Sequence, residues 1–213
     1  MTHRAPSART EVKRAPHRAS YDPEVIRSIL DAGLVCHVAF VGDGAPVVIP
    51  TMYALGGDAL YVHGARSNRM LKALRGGVDM CVTVTLLDGL ILARSAFHHS
   101  MNYRSVVVMG RAVEVVDAEE KVLSLRALIE HVAPGRWESI RRPSLDEFNR
   151  TLVFKLPLTE ASAKLRTGPP IDDEEDYALD AWAGVVPLAT IPGEPVSDPR
   201  LGTGSNRPST SWH

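Results

Sequence analysis

Two short runs gather most of the side chains able to do chemistry. The first is His63-Gly64-Ala65-Arg66-Ser67-Asn68-Arg69-Met70-Leu71-Lys72, which leads from a strand pattern into a helical one. Backbone N–H groups at a helix start, and the helix dipole, favour an anion. Ser67, Asn68 and Arg69 add side-chain donors, so the run suits a phosphate. The competing reading is that Ser67 or Asn68 only caps the helix while Arg69 lies in solvent. The second run, residues 95–105, places His98, His99, Tyr103, Arg104 and Ser105 between two strongly apolar stretches. Adjacent His98 and His99 point to opposite faces of an extended chain, so at most one faces a given site. The run has no H-x-H or H-x-x-x-H spacing and no nearby carboxylate, so no metal site is expected. His37 and His63 read as core or rim residues, and Cys36 and Cys81 as small hydrophobes. No serine sits on a G-x-S-x-G turn. Any reactivity therefore points to a bound cofactor rather than to a side-chain nucleophile.

These runs need a scaffold, and the rest of the chain supplies one. The 213 residues are 45% hydrophobic and 23% charged, as in ordinary globular proteins. Twenty-four Lys and Arg oppose 25 Asp and Glu, a net charge of −1 that argues against a nucleic-acid partner. No apolar run reaches the length of a membrane span, and no apolar segment follows the basic N-terminus as in a secretory signal. A cytoplasmic protein without membrane partners is expected.

Residues 1–20 carry Arg4, Arg9, Lys13, Arg14 and Arg18 against Glu11 alone, and read as a flexible basic arm. Asp22-Pro23 opens a helix that Gly33 ends. Strands follow over 34–41, 45–53 and 59–63, joined by Gly42-Asp43-Gly44 and Gly56-Gly57-Asp58 turns. A helix over 66–75 precedes the alternating strand Met80–Leu86. Asp88-Gly89 is the strongest hairpin signal, and residues 104–116 form a long β-branched strand. Asp117 with Glu120, and Ser144 with Glu147, mark two further helix starts, the first with a stripe of Val122, Leu125, Leu128, Ile129 and Val132. Closing strands are expected over 151–156 and 161–166. Beyond them lie five acids, 172–176, and an apolar island, 177–188, that should dock; residues 191–213 read as a flexible tail. The pattern predicts a mainly β protein with short helices (α+β), an antiparallel closed or partly closed barrel over 21–190.

The order of these elements, with Tyr61-Val62-His63-Gly64, Ser67-Asn68-Arg69-Met70-Leu71, Cys81 through Gly89 and the His98-His99-Ser100-Met101-Asn102-Tyr103-Arg104-Ser105 run, resembles the pyridoxamine 5′-phosphate oxidase-like split-barrel flavoproteins. The branch it is most similar to is related to nitroimidazole reductases. The resemblance implies an FMN-binding split barrel and a homodimer with the cofactor at the interface. It implies that Ile49, Pro50, Thr51 and Met52 run along the flavin, that Val62 and His63 lie near the ribityl chain, and that Ser67, Asn68 and Arg69 hold the phosphate. Arg104 and Ser105 would reach the cofactor from the partner subunit, and Trp182 would pack near the cleft. Residues 47–52 lack the arginine of true vitamin B6 oxidases, which speaks against that activity. The expected function is an oxidoreductase passing electrons from NAD(P)H through FMN to a small acceptor such as a nitro-aromatic compound, with His98, His99 and Tyr103 as catalytic candidates. The alternatives are a haem-binding or haem-degrading protein with His63, His98 or His99 as axial ligand, a deazaflavin protein, or a non-catalytic flavin-binding module.

Overall fold

The computed structural model describes residues 4–201. Eleven strands are described, β1 Ala19–Ser20, β2 Cys36–Gly42, β3 Ala45–Thr51, β4 Ala54–Gly56, β5 Ala59–Ala65, β6 Met80–Leu92, β7 Ser100–Gly110, β8 Val113–Glu114, β9 Thr151–Pro157, β10 Ala161–Arg166 and β11 Gly184–Pro187. With them are four α-helices, α1 Pro23–Ala32, α2 Arg69–Arg75, α3 Ala118–Val132 and α4 Leu145–Arg150. One sheet runs β1-β10-β7-β6-β2-β3 with β11 added alongside β6, and the other runs β4-β5-β9-β8. All pairings are antiparallel, and the two sheets stay open toward one another as a split barrel.

Period-2 patterning sets the core. Cys36, Val38 and Phe40 of β2, Met80, Val82 and Val84 of β6, and Val106 and Val108 of β7 all point inward. They meet Leu60 and Val62 of β5 and Phe154 and Leu156 of β9, with α1 and α2 plugging the ends through Ile29, Leu30, Leu71 and Leu74. A second, smaller layer lies on the other face of the four-stranded sheet, where Tyr61, Val115 and Val153 pack under α3. At the β2–β3 turn both Asp43 and Gly44 have positive φ, 53° and 76°, the geometry of the tightest hairpins. β3 is an edge strand, which tolerates Pro46 and Pro50 because it need not donate outward.

Several sequence expectations are corrected. Asp88-Gly89 makes no hairpin turn. β6 runs on to Leu92 with a register shift between Leu87 and Gly89, and the chain reverses over residues 93–99 instead. Asp88 bonds to Arg104 and so needs no turn conformation, and the strand absorbs one extra residue as a bulge. The strand expected over 104–116 divides at Gly110, its two parts serving different sheets. The 66–75 helix starts only at Arg69. α3 buries Lys121, Ser124 and Leu128 and leaves Val122 exposed, because its inner face meets Phe148 and the polar edge of the small sheet.

Gly33 ends α1 in ordinary backbone geometry rather than a left-handed cap. It is needed for space, since a Cβ there would strike Val84 and lie 2.7 Å from the Tyr53 hydroxyl. The basic arm is not free: Thr10 is buried, the Ser7 hydroxyl donates to Glu160 at 2.5 Å, and Ala19–Ser20 pairs with β10. The apolar island does dock, its β11 lying along Gly89–Leu92. The tail over 202–213 lies outside the described residues.

Candidate functional site

His63 sits on β5 opposite Val153 of β9, on the α3 side of the small sheet. Alternation sends Leu60 and Val62 into the main core and Tyr61 and His63 toward α3. Above His63 a cavity of about 390 Å3 opens between α3, the 137–143 connection and the start of β9. Leu125, Leu128, Ile129, Trp137 and Ile140 form its apolar walls, and Arg141 and Glu147 its charged rim. His63 Nδ1 is buried with no hydrogen-bond partner among the described residues. Burial pushes the imidazole pKa below its ordinary value, so the ring is neutral at pH 7, the form that ligates metals. A buried ring nitrogen without a partner is costly, and only a group that reaches Nδ1 itself would remove that cost, whereas a group in the cavity would meet the other ring nitrogen. Among the described residues no other lining residue is a histidine, cysteine, methionine or tyrosine. These features fit a haem held through His63.

A second connection shapes this wall. Trp137 is buried, its ring under the Arg142 guanidinium at 4.6 Å, while Arg142 also bonds Glu138 at 2.9 Å. Arg141 makes a two-point ion pair with Glu147, both distances 2.6 Å. Glu147 also accepts from the Ser144 N–H at 2.8 Å in a full capping box, which fixes α4. None of Trp137, Ile140 and Arg141 stood out as a site residue in sequence, because they fall in a loop without periodicity. The only cue was an aromatic among four arginines between two helix-start signals.

The phosphate run lies elsewhere. Asn68 Oδ1 accepts from Met70 N and Leu71 N at 2.8 and 3.4 Å, so Asn68 caps α2, as the competing reading held. Ser67, Arg69 and Lys72 line a cavity of about 450 Å3 with Phe40, Gly42 and Asp43. Arg69 rests on Asp43 at 3.3 Å, both well exposed, a weak contact that an anion could displace. Two cations against one acid suit a phosphate there. From this cavity the outer face of the large sheet leads across Val48, Ala39, Cys81 and Met109 in one row and Pro50, His37, Thr83 and Val107 in the next. Ile49 and Thr51 alternate with Pro50 on β3, and Met52 follows in the link to β4. Val62 is buried in the core and pairs with Phe154 of β9, so it offers no exposed surface to a ligand.

The 95–105 run forms the top of the β6–β7 hairpin and lines none of these cavities. His98 Nε2 lies 3.2 Å from Asp173, and His99 Nδ1 lies 2.9 Å from the Ser95 carbonyl. Tyr103 is half-buried opposite Leu87 and Arg166. Arg104 pairs with Asp88 through Nε and Nη2, and the Ser105 hydroxyl donates to the Lys164 carbonyl at 3.3 Å. The fold adds what spacing could not show: ligand atoms of His98, Asp173 and Asp176 come within 4.8 Å of one another. Beside them Asp172 is buried against Arg94, which holds its carboxyl below the usual range despite burial. Trp182 is 69% exposed, its ring close over Gly184.

Residues 22–165 match the family model described as pyridoxamine 5′-phosphate oxidase. The flavocytochrome Anf3 of Azotobacter vinelandii is 44% identical, with a TM-score of 0.91 over 97% of this chain and 96% of that one. An FAD and haem binding protein of Mycobacterium smegmatis is 36% identical, with a TM-score of 0.86 over 91% and 95%. A protein of Bacteroides thetaiotaomicron described as a 5-nitroimidazole antibiotic resistance protein, 24% identical with a TM-score of 0.58 over 68% and 85%, shares the fold. No curated protein matches the sequence. Among the described residues no helix is long and apolar enough to cross a membrane. The chain belongs to the pyridoxamine 5′-phosphate oxidase family of split-barrel proteins.

Proposed function

We propose that this protein is an oxidoreductase carrying both a flavin and a haem. The observation that carries the reading is the His63 imidazole lining an apolar cavity, its Nδ1 without a partner among the described residues, in a chain 44% identical to a flavocytochrome over nearly its whole length. His63 would hold the haem, and Ser67, Arg69 and Lys72 would hold a flavin phosphate beside the outer face of the large sheet. The Mycobacterium smegmatis relative favours FAD over FMN, and both relatives favour haem as a companion rather than an alternative.

A flavin supplies two-electron exchange with a donor such as NAD(P)H, and a haem supplies one-electron exchange with a small acceptor. The protein's own part is to keep His63 neutral, to exclude water with Leu125, Leu128, Ile129 and Trp137, and to anchor phosphate with Arg69 and Lys72. The outer sheet face, with Val41 and Val48 about 60% exposed, supports a homodimer that would cover the flavin.

The test is a visible spectrum after reconstitution of the full chain with FAD, FMN and hemin followed by desalting. Retention of flavin bands and a Soret band in one protein is expected, with the Soret band lost in His63→Ala and kept in His98→Ala and His99→Ala. Retention of flavin alone would leave a flavin enzyme or a binding module. A Soret band unaffected by His63→Ala would overturn the assignment. Turnover with NADH or NADPH over an acceptor panel including nitro-aromatics then separates an enzyme from a binder.

A further inference from the structure

We infer that Arg141 is the carboxylate clamp of the His63 cavity, resting on Glu147 until an acidic side chain of the bound tetrapyrrole takes that acid's place. The inference rests on the haem reading and goes beyond it in naming how the ligand's acids are recognised and oriented.

The cavity is apolar on its walls, and among the described residues its only charged lining groups are Arg141 and Glu147. A ligand carrying propionates can enter such a space one way round, with its carboxylates toward the rim, since an unpaired carboxylate against Leu125, Leu128 and Ile129 would be strongly disfavoured. The rim's one cation there is Arg141, whose planar fork already grips a carboxylate at two points. That grip is made in the open, with Arg141 72% and Glu147 48% exposed, so it is weak and exchangeable. Arg141 also donates to the Arg142 carbonyl at 3.1 Å, which keeps the guanidinium at the rim.

Glu147 can release Arg141 without unfolding its helix, because Oε2, which accepts from both Arg141 and the Ser144 N–H, keeps the Ser144 bond when the guanidinium leaves. Arg142 cannot substitute for Arg141, being tied to Glu138 and the Trp137 carbonyl and stacked on the Trp137 ring. Glu147 therefore acts as a stand-in ligand. Its charge opposes the incoming carboxylate until Arg141 turns.

The full-length protein is titrated with iron protoporphyrin IX and with its dimethyl ester, following the Soret band, with circular dichroism to confirm folding. The wild type is expected to bind the diacid at least tenfold more tightly than the diester. Arg141→Ala should erase that preference by weakening the diacid alone, and Arg141→Lys should restore part of it. Glu147→Gln keeps the capping box but removes the competing charge, and should tighten the diacid severalfold without changing the diester. Arg150→Ala, an exposed charge paired with Asp146 outside the cavity, should change neither. Equal binding of diacid and diester by the wild type, or a wild-type diacid affinity in Arg141→Ala, would overturn the clamp and leave the haem reading standing. Failure of the wild type to bind either porphyrin would sink both.

Discussion

Asp88 and Arg104 face one another across the β6 bulge, with Nε to Oδ2 at 2.9 Å and Nη2 to Oδ1 at 2.7 Å. The Asp88 carbonyl also accepts from Leu188 N at 3.0 Å, so one residue ties the bulge to both β7 and the end of β11. Asp88→Ala is expected to lower stability by about 1 kcal/mol, a figure kept small because both side chains are about a third exposed. Hydrogen exchange should show the loss concentrated at 86–90 and 184–188. Protection unchanged in both segments would contradict the arrangement.

The buried, unsatisfied His63 Nδ1 costs the cofactor-free protein stability. His63→Leu should therefore match or exceed the wild type in urea midpoint without cofactor, by up to about 1 kcal/mol, while abolishing haem retention. Loss of stability in the empty variant would mean that the ring has a structural partner.

Gly33 lies where the Tyr53 hydroxyl shares its one proton between the Leu30 carbonyl, at 2.5 Å, and the Gly33 carbonyl, at 2.9 Å. Gly33→Ala should cost about 2 kcal/mol or more by overpacking Val84 and this hydroxyl. Tyr53→Phe should cost about 1–2 kcal/mol. Denaturant midpoints for both variants check the pair, and a neutral Gly33→Ala would show that α1 can slide.

The Arg141 guanidinium and the Ser144 amide pull the Glu147 carboxyl from its ordinary 4.5 down to about 2. A depressed folded-state pKa contributes stability above the unfolded value and loses it as pH falls toward the folded one. The stability gap between wild type and Glu147→Gln should thus be present at pH 7, shrink below about pH 4.5 and vanish near pH 2. A gap that persists at pH 2 would assign it to something other than this charge.

Arg69 and Lys72 are the cations of the α2 cavity. Removing either should weaken flavin binding by about tenfold to a hundredfold, read by fluorescence quenching on titration. Unchanged affinity in the double variant would move the phosphate elsewhere.

Much of the fold was legible because local rules dominated it. The caps at Asp22, Asp117 and Ser144, the Asp43-Gly44 turn and the alternation of Val82 and Val84 with Thr83 and Thr85 all work over a few residues. Asp88-Gly89 misled because the same dipeptide that favours a turn also suits a bulge, and the partner that decided it, Arg104, lies sixteen residues on. The anion run at 67–69 was visible as a strand-to-helix junction, although Asn68 turned out to serve the helix. The His63 cavity was not visible. His63, Leu128 and Arg141 come from three elements whose approach depends on how α3 settles on the small sheet, and nothing periodic links them.

The pairing of β11 with the upper half of β6 sets an order of events at the ribosome. Gly89–Leu92 is synthesised long before Gly184–Pro187 exists to cover it. At ~5–20 residues per second the wait is on the order of 5 to 20 s. For that time the nascent chain carries an uncovered ribbon edge at Leu90 and Ile91 beside an already paired β7. Messages cut short before codon 184 would keep that edge for good, and their products should be found in inclusion bodies or held by chaperones rather than free.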